Sequence, residues 1–370
     1  MTRCAVGVSL APERAAAREA VASAVARLGE PATGLVLFVS RAHGDPRALL
    51  AAARREAPTA MLAGCTVSGV LTGEAEVEDG PGVVAMAFAG AYPIRSFALG
   101  DPDVALPPLA DEQATGLAIL LADGYSAHPE QLAQQLARGL PARMPLVGAL
   151  ASAVKGHKPA HRFVDDALVT SGGVGLVVAA AEGALVGVAG GCMAIGPAHR
   201  VTAAKGTIVQ TLNDQPAFAV FAEAARPLLH DLATAAQTVF LGEEIEGGRI
   251  IRGITGFDPE RGLLASTEPI AEGATLRFLV RDARAAREEL RTVATRIAKQ
   301  LGGRPPRWGL YLASAARGRA LYGLDDHDVS ILQGTLGTFP LAGAFVGGEL
   351  AAVGGTMRLQ VFSGVLAVAP

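Results

Sequence analysis

The sequence predicts an α/β protein whose mixed β-sheets are flanked by helices and built from three related strand–helix–strand–hairpin units. Three observations carry this. Short apolar runs open at Gly34, Gly116 and Gly309. Each leads through a helix-like stretch to a second apolar run centred on glycine, at Gly64, Gly148 and Gly343, so the paired glycines lie 30, 32 and 34 residues apart. Each unit then reaches a third apolar run, beginning at Gly82, Gly173 and Gly364. Repetition at a near-constant period marks one supersecondary unit used several times. Helices alternating with strands give the α/β class, and terminal hairpins make the sheets mixed.

In chain order, Ala5 to Ser9 reads as a strand and Pro12 to Leu28 as a helix, with Glu13 and Arg27 matched to the helix dipole. After the strand at Leu35, Asp45-Pro46 supplies an N-cap and a first-turn proline for a helix ending near Arg55. Strands at Leu62, Val83 and Ile94 complete the first unit. The proline-containing stretch 101–115 is a connector. The second unit runs from Gly116, its helix opening at His128-Pro129, and a polar excursion from Lys155 to Asp166 follows its glycine strand. Two valine-rich runs between Gly172 and Pro197 flank Glu182-Gly183, which predicts an antiparallel hairpin turning there rather than a membrane span. Val201 to Pro216 reads as a strand pair leading into a helix at Ala217. Short strands follow near Phe240, Ile250 and Gly262. The strand at Leu276 and the helix from Asp282 to Leu301 then look like the opening of the third unit, repeating the start of the first.

At 370 residues the chain has ample length for a large core. Half of it is apolar but only 5% aromatic, so that core is built from small side chains. A net charge of -3 offers no basic surface for nucleic acid. Cys4, Cys65 and Cys192 have neither disulfide nor zinc spacing, and the N-terminus does not resemble a signal peptide. A cytoplasmic protein without membrane insertion is therefore expected. No phosphate loop, GxGxxG turn or HExxH helix occurs, so no cofactor and no metal is expected.

Positions after the glycine strands fall at equivalent points: Cys65/Ser68, Ala149/Ser152 and Ala344/Gly347. Cys65 and Ser68 read either as a nucleophile with its neighbour or as a buried thiol and a loop-satisfying hydroxyl. Cys65, Ser68 and Ser152 are candidate pocket-lining residues. Arg317 and Arg319 flank Gly318, where a guanidinium fork can hold a carboxylate and glycine permits close backbone approach. Glu349 is placed to receive an ammonium group, so that arginine and glutamate together would read an amino acid. The alternative is a structural Arg317–Glu349 ion pair. The segment Lys155–Arg162 reads as a solvated basic loop, and the acids at Asp325–Asp328 as caps of the helix that begins there. No catalytic residue is assigned.

These residues carry a resemblance to the FIST family, named for "F-box and intracellular signal transduction". In its FIST N region the matching pieces are Gly64–Val70, Asp79–Ala87, Pro145–Ser152, Gly191–Pro197, Val201-Thr202 and Asp214–Ala217. In its FIST C region they are Arg249–Asp258, Val280–Asp282, Arg317–Arg319 and Gly347–Leu350. The resemblance implies a FIST N-like domain over residues 1–222 and a FIST C-like domain over 223–370. It also implies a sensory module for small ligands, amino acids or related carboxylates among them, that signals through a separate protein. Two other classes stand beside it: a hydrolase or transferase working through Cys65 or Ser68, and a protein-interaction scaffold like the F-box relatives. The family usually carries a cysteine just before the Arg-Gly motif. Ser314-Ala-Ala-Arg317 stands here instead, which argues against thiol chemistry at that point.

Overall fold

The computed structural model describes residues 2–100, 108–124, 128–153, 160–226 and 238–370. The chain forms two compact units. Unit 1 takes Met1–Gly190, Arg287–Ala352 and Met357–Pro370, and unit 2 takes Gly191–Ala286 and Val353–Thr356. This partition is discontinuous in sequence.

The first repeat of unit 1 supplies β1 (Arg3–Ser9), α1 (Glu13–Leu28), β2 (Gly34–Ser40), α2 (Pro46–Glu56), β3 (Met61–Val67), β4 (Gly69–Thr72), β5 (Glu76–Val77) and β6 (Val83–Ala89). The second supplies β7 (Ile94–Leu99), β8 (Thr115–Ala122), α3 (Pro129–Gly139), β9 (Leu146–Leu150), β10 (Arg162–Val164), β11 (Ala167–Val169) and β12 (Gly173–Ala180). The third opens with β13 (Leu185–Ala189). Unit 2 follows, with β14 (Cys192–Lys205), β15 (Ile208–Leu212), β16 (Gln215–Pro216), α4 (Ala217–Ala225), β17 (Val239–Ile245), β18 (Gly248–Asp258), β19 (Leu263–Ser266) and β20 (Thr275–Arg281). The third repeat resumes through α5 (Ala283–Gln300), β21 (Trp308–Ser314), α6 (Arg319–Tyr322), α7 (His327–Leu336), β22 (Leu341–Val346), β23 (Glu349–Val353), β24 (Thr356–Gln360) and β25 (Gly364–Ala369).

Unit 1 contains three six-stranded sheets with one topology: β1-β6-β2-β3-β10-β11, β7-β12-β8-β9-β23-β24 and β13-β25-β21-β22-β4-β5. Each centres on a parallel pair, β2/β3, β8/β9 or β21/β22. The last two strands of every sheet come from a different repeat. The first repeat's β4 pairs with the third's β22, the third's β23 with the second's β9, and the second's β10 with the first's β3. The exchange is cyclic and leaves no glycine strand with an open edge.

Strand side chains alternate between two faces. Val36 and Phe38, Leu117, Ile119 and Leu121, and Leu310 and Leu312 meet in one central core. Leu35, Leu37 and Val39 face outward under α1 and α2, and Ala118, Leu120 and Ala122 under α3. Tyr311 and Ala313 face α5 and α7. Burial on both faces explains why these strands read as continuous apolar runs. Residues at helical spacing bury α1, through Ala17, Ala20, Val21, Ala24 and Leu28, and Gly29 ends it in the left-handed conformation with its N–H on the Val25 carbonyl. Asp45 caps α2 through the Ala48 N–H as expected.

Two expectations are corrected. The valine-rich runs around Glu182-Gly183 do not form a hairpin: β12 pairs with β7 and β8, whereas β13 pairs with β25, so the chain passes from one sheet to the next at that turn. The strand near Leu276 does not open the third repeat. It is β20, which pairs with β14 and β17 in unit 2, and β13 takes the opening role. The second error follows from the intervention of unit 2 between β13 and α5.

In unit 2, β14 pairs with both β20 and β15, so the antiparallel circuit β14–β20–β17–β18–β19–β15 closes on itself. Closure removes exposed edges. Its core gathers Val201, Leu212, Phe221, Leu241, Leu264 and Phe278.

The repeated glycines have a packing cause. A Cβ at Gly64, Gly148 or Gly343 would fall inside contact distance of the backbone carbonyl of Leu37, Leu120 or Tyr311, its neighbour on the parallel strand. Gly343→Ala is expected to lower stability by about 1–3 kcal/mol through forced overpacking. Gly139→Ala, where no atom lies within 4 Å, should be neutral or slightly stabilising. Urea midpoints of the two variants check the contrast.

Candidate functional site

Two regions of the chain carry chemistry. The first lies at the carboxyl ends of the parallel pairs in unit 1, where α/β sheets commonly bind ligands. Register places Arg162 opposite Cys65, Glu349 opposite Ala149 and Val70 opposite Ala344. Cys65, Ala149, Ala344 and Val70 belong to the central core, so Arg162 and Glu349 also point inward, at topologically equivalent places. Both side chains are fully buried.

Arg162 corrects the expectation of a solvated loop. Its Nη1 lies 3.7 Å from Asp123 Oδ1 in a fully buried pair and donates to the Ala160 carbonyl at 3.3 Å, while Nε and Nη2 have no partner among the described residues. Lys155 and His157, expected in the same loop, lie outside the described residues. Burial pushes the Cys65 thiol up to about 12, with the nearby Arg162 charge opposing the rise. Cys65 is thus a protonated core thiol. Ser68 and Ser152, from two repeats, bring their hydroxyls within 3.0 Å of each other. Glu349 accepts from the Ser363 hydroxyl at 2.6 Å, and its Oε1 has no partner among the described residues. Burial raises the Glu349 carboxyl to about 8, against the lowering effects of Ser363 and of the Arg317 charge.

Arg317 is also fully buried, and its fork is occupied. Nε and Nη2 reach the two Asp328 oxygens at 2.7 and 3.1 Å, Nη2 also donates to the Tyr322 hydroxyl at 2.6 Å, and Nη1 donates to the Gly190 carbonyl at 3.1 Å. The Tyr311 hydroxyl adds a 2.7 Å bond to Asp328. Burial alone would raise the Asp328 carboxyl, but the Arg317 charge and these donors hold it below its ordinary value. Arg317 therefore has Asp328, not Glu349, as its ion-pair partner. Gly318 sits at φ 66°, and a side chain there would strike the Glu78 carboxylate. Arg319 is exposed, donates its backbone N–H to Glu78 at 2.7 Å and pairs with Asp325. The acids before α7 do not cap it. Asp326 occupies the cap position without a capping bond, its Oδ1 accepting instead from the Glu76 backbone N–H at 2.6 Å, and Glu76, about 250 residues earlier, accepts from the Val329 N–H at 2.8 Å.

The second region, in unit 2, was not singled out from sequence. Gly196 adopts φ 72° and Pro197 has no N–H for the ladder, so the β14–β20 register slips between Ile195 and His199. This bulge lies in an open cleft of about 510 Å³ lined by Ile195, Gly196, Pro197, His199, Val220, Glu223 and Ala224. Helical spacing turns Val220, Glu223 and Ala224 of α4 to the cleft and Ala217, Phe221 and Ala225 to the core. The sequence signal was the Gly-Pro step inside an otherwise strand-like run.

Fold and cleft together define a three-repeat α/β protein carrying an inserted antiparallel unit with a ligand-sized opening. Residues 34–215 match the FIST N domain and residues 217–352 the FIST C domain, and the chain belongs to the FIST family. It is 35% identical over 384 residues to uncharacterized protein Rv0628c of Mycobacterium tuberculosis (strain ATCC 25618 / H37Rv), covering 99% of each chain. It is 32% identical over 382 residues to uncharacterized protein Mb0898c of Mycobacterium bovis (strain ATCC BAA-935 / AF2122/97), covering 99% of this chain and 98% of the relative. FIST domains are associated with sensory roles in signal transduction. One wall of the cleft falls in the FIST N segment and the other in the FIST C segment. Among the described residues no helix is long and apolar enough to cross a membrane.

Glu349 gives a pH test. Folded Glu349 keeps its proton up to about pH 8, whereas the ordinary value is 4.5. The native state then holds the extra proton, so this contribution to stability is complete below pH 4.5 and is lost as pH rises towards 8. Glu349→Gln should gain on the wild type by up to about 1.4 kcal/mol per pH unit across that window. Denaturation curves at several pH values measure it, and a difference independent of pH would refute the assignment.

Proposed function

We propose that this protein is a small-ligand-binding sensory module of intracellular signal transduction, with the ligand held in the unit 2 cleft and the output passed to a separate signalling protein. The observation that carries the reading is the cleft itself. Its volume, about 510 Å³, falls in the range of roughly 300–1,000 Å³ typical of small-molecule sites. Its walls are mainly apolar with a few placed polar groups, which is the usual composition of such sites. Walls drawn from both family segments agree with a ligand that ties the two together.

The finer expectation of an amino acid or related carboxylate rested on Arg319 and Glu349 and, first, on the Arg317 guanidinium. That guanidinium is committed to Asp328, Tyr322 and Gly190, so its geometry lends the carboxylate reading no free fork. A hydrolase or transferase acting through Cys65 has less support than sensing, because nucleophilic thiols need a depressed pKa and access, and Cys65 has neither.

Ala224→Trp fills the cleft from the exposed side of α4. A metabolite library should raise the Tm of the wild type with one or more members and leave the variant unmoved, with both unliganded proteins equally stable. Equal shifts in the two proteins, or no shift in either, would count against the reading.

A further inference from the structure

The cleft has one polar group that is nine-tenths buried, His199, and the surrounding bonds fix its state. Asn213 Oδ1 accepts from the Arg200 backbone N–H at 2.8 Å. That bond orients the amide and leaves Nδ2 facing His199 Nδ1 at 3.4 Å. An amide nitrogen can only donate, so Nδ1 accepts and the ring proton sits on Nε2. The ring is held from the other side by Phe278, at 5.8 Å between centroids. Among the described residues Nε2 has no hydrogen-bond partner, and it is not one of the fully buried polar atoms, so the little exposure His199 retains includes that edge. A neutral imidazole thus offers one N–H donor to the cleft.

The charges facing it set the second requirement. Glu223, one helical turn from Val220, is the one acidic side chain among the described residues that line the cleft. Arg277, on the strand paired with β14, is engaged with Glu244 at 3.1 Å. Burial first, and then the Arg277 charge, hold the His199 ring below its ordinary range despite Glu223, so the ring stays uncharged at neutral pH. Ile195, Pro197, Val220 and Ala224 supply an apolar lining. A carboxylate entering would meet Glu223 with no cation among the lining residues to offset it.

We infer that the cleft selects a small ligand with an apolar body and an uncharged acceptor head, such as a carboxamide, received by His199 Nε2–H, with donor or cationic groups turned to Glu223, and that it discriminates against carboxylates. This rests on the reading of the cleft as the ligand site and names the class of ligand.

Three probes of one shape separate the possibilities: cyclohexanecarboxamide, cyclohexylamine and cyclohexanecarboxylate, titrated into the full chain by ligand-observed NMR. The carboxamide should bind, and the carboxylate should bind about tenfold more weakly or not at all. His199→Phe, which keeps the ring packing, should weaken the carboxamide about fivefold, the worth of one hydrogen bond. Glu223→Gln should weaken the amine about threefold and leave the carboxamide unchanged. If His199→Phe proves unstable, the imidazole ¹⁵N spectrum of the wild type serves instead. It should show Nε2 protonated and shifting on addition of the carboxamide. Equal binding of all three probes, abolished by Ala224→Trp, would overturn the head-group assignment while leaving the cleft as a ligand site. Binding of none would overturn both.

Discussion

Hairpin exchange between repeats is the constraint on which the rest of unit 1 depends. Without β10, β23 and β4, the strands β3, β9 and β22 would present bare N–H and C=O groups along edges that lie against the central core. An unmet buried backbone group costs about 1–3 kcal/mol, so three open edges would outweigh the net stability of an ordinary domain. Each repeat is therefore incomplete alone. The close backbone approach at Gly64, Gly148 and Gly343 is the local signature of the same packing, because any side chain there would push the parallel pair apart beneath the exchanged hairpin.

The same exchange sets what the polar groups can do. It carries Arg162 and Glu349 into the interior, where one is charged beside Asp123 and the other holds its proton. It also brings Glu76 to the first turn of α7, so a residue of the first repeat caps a helix of the third. These groups are sealed, and they tie repeats together. Unit 2 is arranged otherwise. Its circuit is closed, but a single Gly-Pro step opens β14 beside α4 and leaves His199 with a donor edge free. On the proposed reading, the groups that would recognise a ligand and the groups that hold the repeats together fall in different units.

Much of this was legible in the sequence, and the limits have physical causes. The glycine strands, the caps at Asp45 and the breaks at proline are local, and they were read correctly. The fold class followed from them. Strand partners are not local: β13 and β25, or β4 and β22, are separated by long stretches of chain that no periodicity connects. A valine-rich pair flanking a turn therefore looked like a hairpin. Arg317 was recognised as important, but its partner Asp328 was read as a helix cap, since acids at a helix start usually serve that way. Arg162 sat at the end of a basic segment and gave no sign of burial. The cleft depended on the Gly196-Pro197 bulge meeting one face of α4, a coincidence visible only in three dimensions.

Exchange is tested most directly by a covalent link across it. Thr72 and Ala342 are register partners in β4 and β22. Opposed strand residues lie about 4.5–5.5 Å apart between Cα atoms, inside the range of about 4.4–6.8 Å that a disulfide accepts. In a chain with Cys4, Cys65 and Cys192 replaced by alanine, Thr72→Cys with Ala342→Cys should oxidise in the folded monomer. The product would lose both free thiols and migrate faster on a non-reducing gel. Two thiols that stay free in a folded protein under oxidising conditions would contradict the pairing of the first repeat's hairpin with the third repeat's sheet.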